Sequence, residues 1–267
     1  MIKTPHKTGS PLIVLFIGIL AVSAASLLIR FAQREAPSLV IAASRMAIAA
    51  VLVAPFCLKI FLKEIRSVNW TTRLLLVLSG SFLAFHFASW ITSLEFTSVA
   101  SSVVLVTTAP LWVALLSPIF LNEKITRWIL LGLAVSLLGS IIVGVSSACS
   151  FQAGKFVCAS PTEVFKGRAL IGNTLALAGA FLSGGYLMVG RKVREKVSLS
   201  TYIFAVYTTS AVVLLGLVAI SGEKLTGYSP LTYGWLVALA IIPQIIGHSA
   251  FNWALKYLSA AYVSIAL

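Results

Sequence analysis

The chain holds eight uninterrupted apolar runs. Each has about 18 residues or more and as a helix would cover the roughly 30 Å of a bilayer's hydrocarbon core. They extend approximately from Pro11 to Ile29, Leu39 to Leu58, Leu74 to Leu94, Val99 to Leu121, Trp128 to Val145, Leu170 to Gly190, Tyr202 to Ile220 and Leu231 to Leu255, and a ninth starts near Ser259. Their length and lack of alternation exclude barrel strands, and helices are the remaining way to satisfy backbone polar groups in lipid. The expected fold is all-α, a polytopic helical membrane protein. With 59% hydrophobic and 10% charged residues, a soluble fold could not hide the apolar surface. Lys3 and Lys7 ahead of the first run mimic a secretory signal peptide, but that run continues to Ile29 and further spans follow, so no cleavage is expected.

Twenty Lys and Arg stand against seven acidic residues, all Glu, for a formal charge of +13. A nucleic-acid footprint would be a continuous basic stripe, whereas these residues form short clusters between apolar runs, the pattern of cytoplasmic membrane loops. A cytoplasmic N-terminus puts Lys3, Lys7, Lys59, Lys63, Arg66, Arg73, Lys124, Arg127, Arg191, Lys192, Arg194, Lys196 and Lys256 on the inside. Arg30, Arg34, Lys155, Lys166, Arg168 and Lys224 fall outside. That is about thirteen against about six, so the N-terminus is assigned to the cytoplasm.

The segment from Leu94 to Ala100 recurs in outline from Leu255 to Ala261, an offset of about 160 residues that also aligns Ser23 with Ser183 and Ser38 with Ser198. Two copies of one unit follow: a first repeat over 1–148, an outer-loop linker over 149–168, and a second repeat over 169–267. Each copy holds about five spans, so the second enters the membrane the other way up. Charge agrees. The basic loop from Lys59 to Arg73 corresponds to one near Ser221 to Leu231 that keeps only Lys224, and the cluster Arg191 to Lys196 to a weak one at Arg30 to Glu35. Inverted repeats are a recurrent device of secondary transporters, which expose a central site alternately to each side. On the same offset Leu267 corresponds to the middle of the fourth span, so the sequence reads as a piece lacking about one and a half spans.

Three stretches carry a family resemblance: Ser89 through Ser102, then Thr108-Ala109-Pro110-Leu111-Trp112, then Leu121-Asn122-Glu123-Lys124, with Gly132 continuing the pattern. They resemble the EamA branch of the drug/metabolite transporter superfamily. The resemblance spans both repeats and is most specific from Pro110 to Glu123. It implies ten helices, both termini cytoplasmic, export or exchange of amino acids, related metabolites or toxic compounds, and a central cavity lined mainly by the third, fourth, eighth and ninth helices.

In the eighth run Gln244, His248 and Asn252 follow at intervals of four and share one helical face. They serve either as a substrate-contacting stripe or as helix-to-helix hydrogen bonds. The third run places His86, Ser89, Trp90 and Ser93 on neighbouring faces, and the fourth adds Ser101, Thr108 and Trp112. The hydroxyls alone say little, since they can bond their own helix; Trp90 and Trp112 either stack on substrate or pack as core. His86 and His248 sit at nearly equivalent repeat positions, one residue out of phase. Arg45, deep in the second run, requires a partner, because an isolated guanidinium there costs at least about 2.5 kcal/mol. Backbone carbonyls, hydroxyls or an anionic substrate group are the candidates. Glu95 and Glu123 lie at span ends, away from where a proton-relay carboxylate belongs. Pro110 interrupts the fourth helix as a kink or a gate, with Pro118 and Pro243 as lesser cases.

Small residues step along the fifth run (Gly132, Ser136, Ser140, Gly144) and the sixth (Gly172, Ala176, Ala180, Gly184), as close helix packing requires. Cys149 and Cys158 share the outer loop, where an oxidising compartment would close a disulfide; packing as small residues is the other reading. No metal-type Cys/His spacing and no P-loop pattern occurs, so neither metal, cofactor nor ATP-driven transport is expected. The function expected is a secondary transporter of small metabolites, and not an enzyme. A membrane enzyme acting on lipid should show clustered acids, yet the chain has no Asp. A ligand-binding sensor or assembly subunit is the third class. The partners expected are a small-molecule substrate and the bilayer, with a homodimer as the one protein assembly considered.

Overall fold

The computed structural model describes residues 11–152, 155–158 and 167–267, with side-chain surroundings given outside 144–166. Lys3, Lys7, Lys166 and the side chains of Cys149, Lys155 and Cys158 lie outside that description. Among the described residues, seven helices are long and apolar enough to cross a membrane: Pro11–Ala32, Ser38–Ser67, Trp70–Phe96, Val99–Phe120, Gly167–Arg194, Leu199–Ser221 and Pro230–Ala254. They are spans one to four and six to eight. The helix Arg127–Ala148 takes the fifth place, and Ala260–Ile265 opens the ninth. After the fifth, a short antiparallel hairpin, β1 (Cys149–Gln152) and β2 (Lys155–Cys158), sets the Cys149 backbone opposite that of Cys158.

Several helices outrun their apolar cores. The second continues past Leu58 to Ser67 and the sixth begins before Leu170 and ends at Arg194. Their terminal turns carry Lys59, Lys63, Arg66, Arg191 and Lys192, whose apolar stems can lie along the helix while the charge reaches water. Starts are marked by short polar side chains: Asn69, Ser98, Ser198, Ser229 and Ser259 each accept the backbone N–H three residues on. Two spans are broken. The first turns at Ala24, and the fourth breaks between Val106 and Ala109 with Pro110 starting its second half. Pro110 thus opens a helix, where its missing N–H costs nothing, while the hydroxyls of Thr107 and Thr108 bond carbonyls of the preceding turn.

The eighth span departs most from a regular α-helix: residues Ala240–His248 are π-helical, with Pro243 inside. A proline removes the ladder donor, and the wider π turn is one way a helix absorbs that disruption. Pro243 therefore accompanies a change of helix type as well as a local irregularity.

Packing is between halves more than within them. The first span lies against the eighth, and the third against the sixth. The second packs against the seventh, with the third also on the seventh and the eighth on the second. Each contact has its counterpart when the two halves exchange roles. Large apolar side chains such as Val51, Phe56, Ile119 and Ile220 cover the outside, the surface expected to meet acyl chains. Polar groups go inward: Arg45, Gln244 and Asn252 are fully buried.

Candidate functional site

At the middle of the bundle Arg45 comes from the second span with no solvent exposure. Its Nε donates to Gln244 Oε1 at 3.1 Å, and its guanidinium carbon sits 4.0 Å from the centroid of the Phe87 ring. A desolvated cation over an aromatic face is worth about 2 kcal/mol, which offsets part of the burial cost. The terminal nitrogens Nη1 and Nη2 are buried without a hydrogen-bond partner. Arg45 is thus partnered, as its depth in the span requires, but by a neutral side-chain amide and an aromatic ring instead of the backbone carbonyls or hydroxyls expected from sequence.

The rest of the site grows outward through contacts. Phe87 meets the edge of His248 at 5.4 Å, His248 faces Tyr186 at 6.1 Å, and the Tyr186 hydroxyl donates to Asn252 Oδ1 at 2.5 Å. On the other flank His86 lies 5.0 Å from Phe87 and stacks on Trp90 at 5.8 Å. His86 is fixed by its Nδ1, 2.8 Å from the carbonyl oxygen of Gly179. The Tyr207 hydroxyl donates to the Gln244 carbonyl at 3.1 Å and pairs with Ser249. That contact ties the π-helical stretch to the seventh span.

Gln244, His248 and Asn252 do face one interior, as their spacing suggests, although a π-helix and not an α-helix carries the first two. A step of four residues falls short of a full π turn and overshoots an α turn, so the three still keep to one side. Gly247 makes the close approach to the first span possible: a Cβ there would meet Val22 Cγ1 at 2.6 Å.

Other residues singled out from sequence go elsewhere. Ser93 bonds the Trp90 carbonyl and the Ser102 hydroxyl, both at 2.6 Å, and so closes the corner between third and fourth spans. Ser101 lies in the first turn of the fourth span, where its backbone N–H is capped by Ser98. Ser102, and not Ser101, is the buried hydroxyl of that pair. Thr108 spends its hydroxyl on Leu105 and, with Trp112, borders an apolar crevice that includes Leu111, Leu115 and Leu177. Trp112 packs edge-on to Phe181 at 5.4 Å, with Nε1 unpartnered. Glu123 binds Arg191 at 3.0 Å and accepts the Ala260 backbone N–H at 3.0 Å, joining the fourth span to the sixth and ninth. Sequence reasoning passed over Phe87, Tyr186 and Tyr207. As aromatic residues they count toward apolar runs, and only burial of the tyrosines beside polar partners reveals their role.

The repeat is visible in the hydrogen bonds themselves. Arg30 Nη1 donates to the Leu94 carbonyl at 2.7 Å and Arg191 Nη1 to that of Leu255 at 2.9 Å. Gln33 reaches the Ile91 carbonyl and Arg194 that of Asn252. Every member of the second pair lies about 160 residues beyond the first. The spans, their sidewise pairing and these duplicated contacts define a polytopic helical membrane protein built from a doubled unit.

The model of the EamA-like transporter family matches residues 9–145 and again 170–267. The chain belongs to that family and is a multi-pass membrane protein of the drug/metabolite transporter type. A solved crystal structure superposes with a TM-score of 0.70 at 18% identity, covering 96% of this chain and 82% of that one, a likeness of fold alone. No curated protein matches the chain.

Proposed function

We propose that the chain is a secondary carrier that exports or exchanges a small metabolite, such as an amino acid or a related compound, by alternating access across the prokaryotic cytoplasmic membrane. The N-terminus lies in the cytoplasm, as the loop charges favour. The observation that carries this reading is the buried Arg45 cluster, to which the first half contributes Arg45, His86 and Trp90 and the second Tyr186, Gln244, His248 and Asn252. A polar centre shared by two inverted halves is where substrate sites of such carriers form. The outer hairpin, with Cys149 opposite Cys158, is proposed to be closed by a disulfide in an oxidising compartment.

Proteoliposomes carrying the full chain test the reading through uptake and counterflow of candidate metabolites. Gln244→Ala, His248→Ala and Trp90→Ala are expected to lower flux by about tenfold or more, the loss of one or two kcal/mol of contact. Flux unaltered in all three would overturn the site. Binding with no flux for any candidate would favour a sensor.

A further inference from the structure

The unpartnered polar atoms of the central site share one chemical character. Arg45 Nη1 and Nη2, Gln244 Nε2, Asn252 Nδ2 and Trp90 Nε1 are all buried donors without an acceptor. His248 Nδ1 is the one ring nitrogen among them with a choice of role. The acceptors nearby are already engaged, Gln244 Oε1 by Arg45 and Asn252 Oδ1 by Tyr186. Resting on the carrier reading above, we infer that Arg45 and these amides bind the carboxylate of the transported molecule, so that the substrate is a small organic monoanion or a zwitterion anchored by its acid group.

Charge decides between oxyanions. A guanidinium offers a fork of N–H groups that fits a carboxylate in two bonds. Gln244 holds Nε and leaves both terminal NH2 groups for it. The salt bridges among the described residues, both made by Arg191, lie at the bundle's end, and Arg194 is spent on the Asn252 and Val197 carbonyls. A phosphate monoester would bring nearly two negative charges to one buried cation and leave charge uncompensated at low dielectric. A carboxylate leaves none. The rings of Phe87, Trp90 and Tyr186 supply apolar walls for the remainder of the molecule.

The test titrates the full chain in detergent with hydrocinnamate, with its neutral isostere hydrocinnamamide, and with phenyl phosphate, following tryptophan fluorescence and melting temperature. Hydrocinnamate is expected to bind saturably, and the other two at least roughly tenfold more weakly. Arg45→Gln is expected to weaken hydrocinnamate by roughly thirtyfold or more. Since loss of a core side chain can prevent folding, Gln244→Glu is the second variant. It supplies a carboxylate to Arg45 from within and is expected to lose hydrocinnamate binding by a similar factor while keeping its melting temperature. Equal binding of acid and amide, tighter binding of phenyl phosphate, no saturable binding of hydrocinnamate, or wild-type affinity in Gln244→Glu would each overturn the inference. The carrier reading fails separately. Hydrocinnamate binding without flux of any candidate removes the carrier and leaves the carboxylate site, whereas flux of a substrate with no acid group does the reverse.

Discussion

The two ends of the bundle are built from equivalent parts and yet are tied together differently. At one end Arg30 holds the Leu94 carbonyl, and the start of the second span is capped by Glu95 from the third, all within the first half. One carboxylate there crosses between halves: Glu35 accepts from the Ser229 backbone N–H and the Thr232 hydroxyl. At the other end Arg191 repeats the role of Arg30, but two carboxylates of the first half reach into the second. Glu64 caps the seventh span at Ser198, and Glu123 joins Arg191 to the start of the ninth at Ala260. Similar backbones thus carry different latches, and the latch is heavier at the Glu123 end. In a carrier that exposes its site first to one side and then to the other, unequal latches set which side opens more readily.

Breaking the heavier latch has the largest expected effect. Glu123 and Arg191 side chains are 14% and 21% exposed, so the ion pair is only partly screened by solvent and its loss also frees the Ala260 N–H. Glu123→Gln is expected to cost about 1–3 kcal/mol, read as a lower melting temperature in detergent and greater reactivity of cysteines placed at that end. A double-mutant cycle with Arg191→Gln sharpens the contrast. Coupling of about 1 kcal/mol is expected between Glu123 and Arg191, whereas Arg30→Gln should be additive with Glu123→Gln. Additive behaviour in both pairs would remove the distinction between the ends.

How much of this could be read from the sequence follows from what each feature depends on. Span existence depends on runs of apolar residues, which need no partner to be recognised, and so the helices stand where the runs are. The repeat was legible because Leu94 and Leu255 belong to matching segments. Its structural meaning is plainer in the arginines that hold those two carbonyls. The break of the first span at Ala24 has no proline or glycine to mark it, whereas Pro243 marks a disturbance of the eighth span without specifying that it takes the form of π turns. His86, Trp90, Gln244, His248 and Asn252 were singled out because polar or indole groups in an apolar run stand out. Phe87, Tyr186 and Tyr207 were missed for the converse reason, as their rings blend into the background.

The duplicated helix crossings give a second, smaller test. Gly18 in the first span and Gly179 in the sixth occupy equivalent crossings, the former against the eighth span and the latter against the third. A Cβ at Gly18 would stand 3.1 Å from Ala250 Cβ, and one at Gly179 would stand 3.3 Å from Trp90 Cβ. Both contacts are tight without being impossible, so Gly18→Ala and Gly179→Ala are each expected to cost about 1 kcal/mol through forced separation of the helices. Melting temperatures measured side by side should fall by similar amounts. A loss at one site with none at the other would show that the crossings are not equivalent in energy, whatever their likeness in sequence. Because Gly179 also receives His86 through its carbonyl, only its variant is expected to change ligand affinity at the central site.

The smallest effect belongs to the lighter latch and is read through pH. Glu35 lies in the loop between the first two spans, and the Ser229 backbone N–H, followed by the Ser229 and Thr232 side chains, holds its pKa below the ordinary 4.5. A carboxyl whose folded pKa is depressed stabilises the fold above its unfolded value and loses that contribution as pH falls through the folded one. Near neutrality Glu35→Gln should therefore melt slightly below the wild type, and the gap should close as the pH drops below 4.5. The group is exposed, so salt should shrink the difference as well. A gap that persists unchanged in acid would mean that the carboxylate's charge plays no part in holding Ser229. The two ends would then differ by more than one latch, the Glu123 end alone being held by charge.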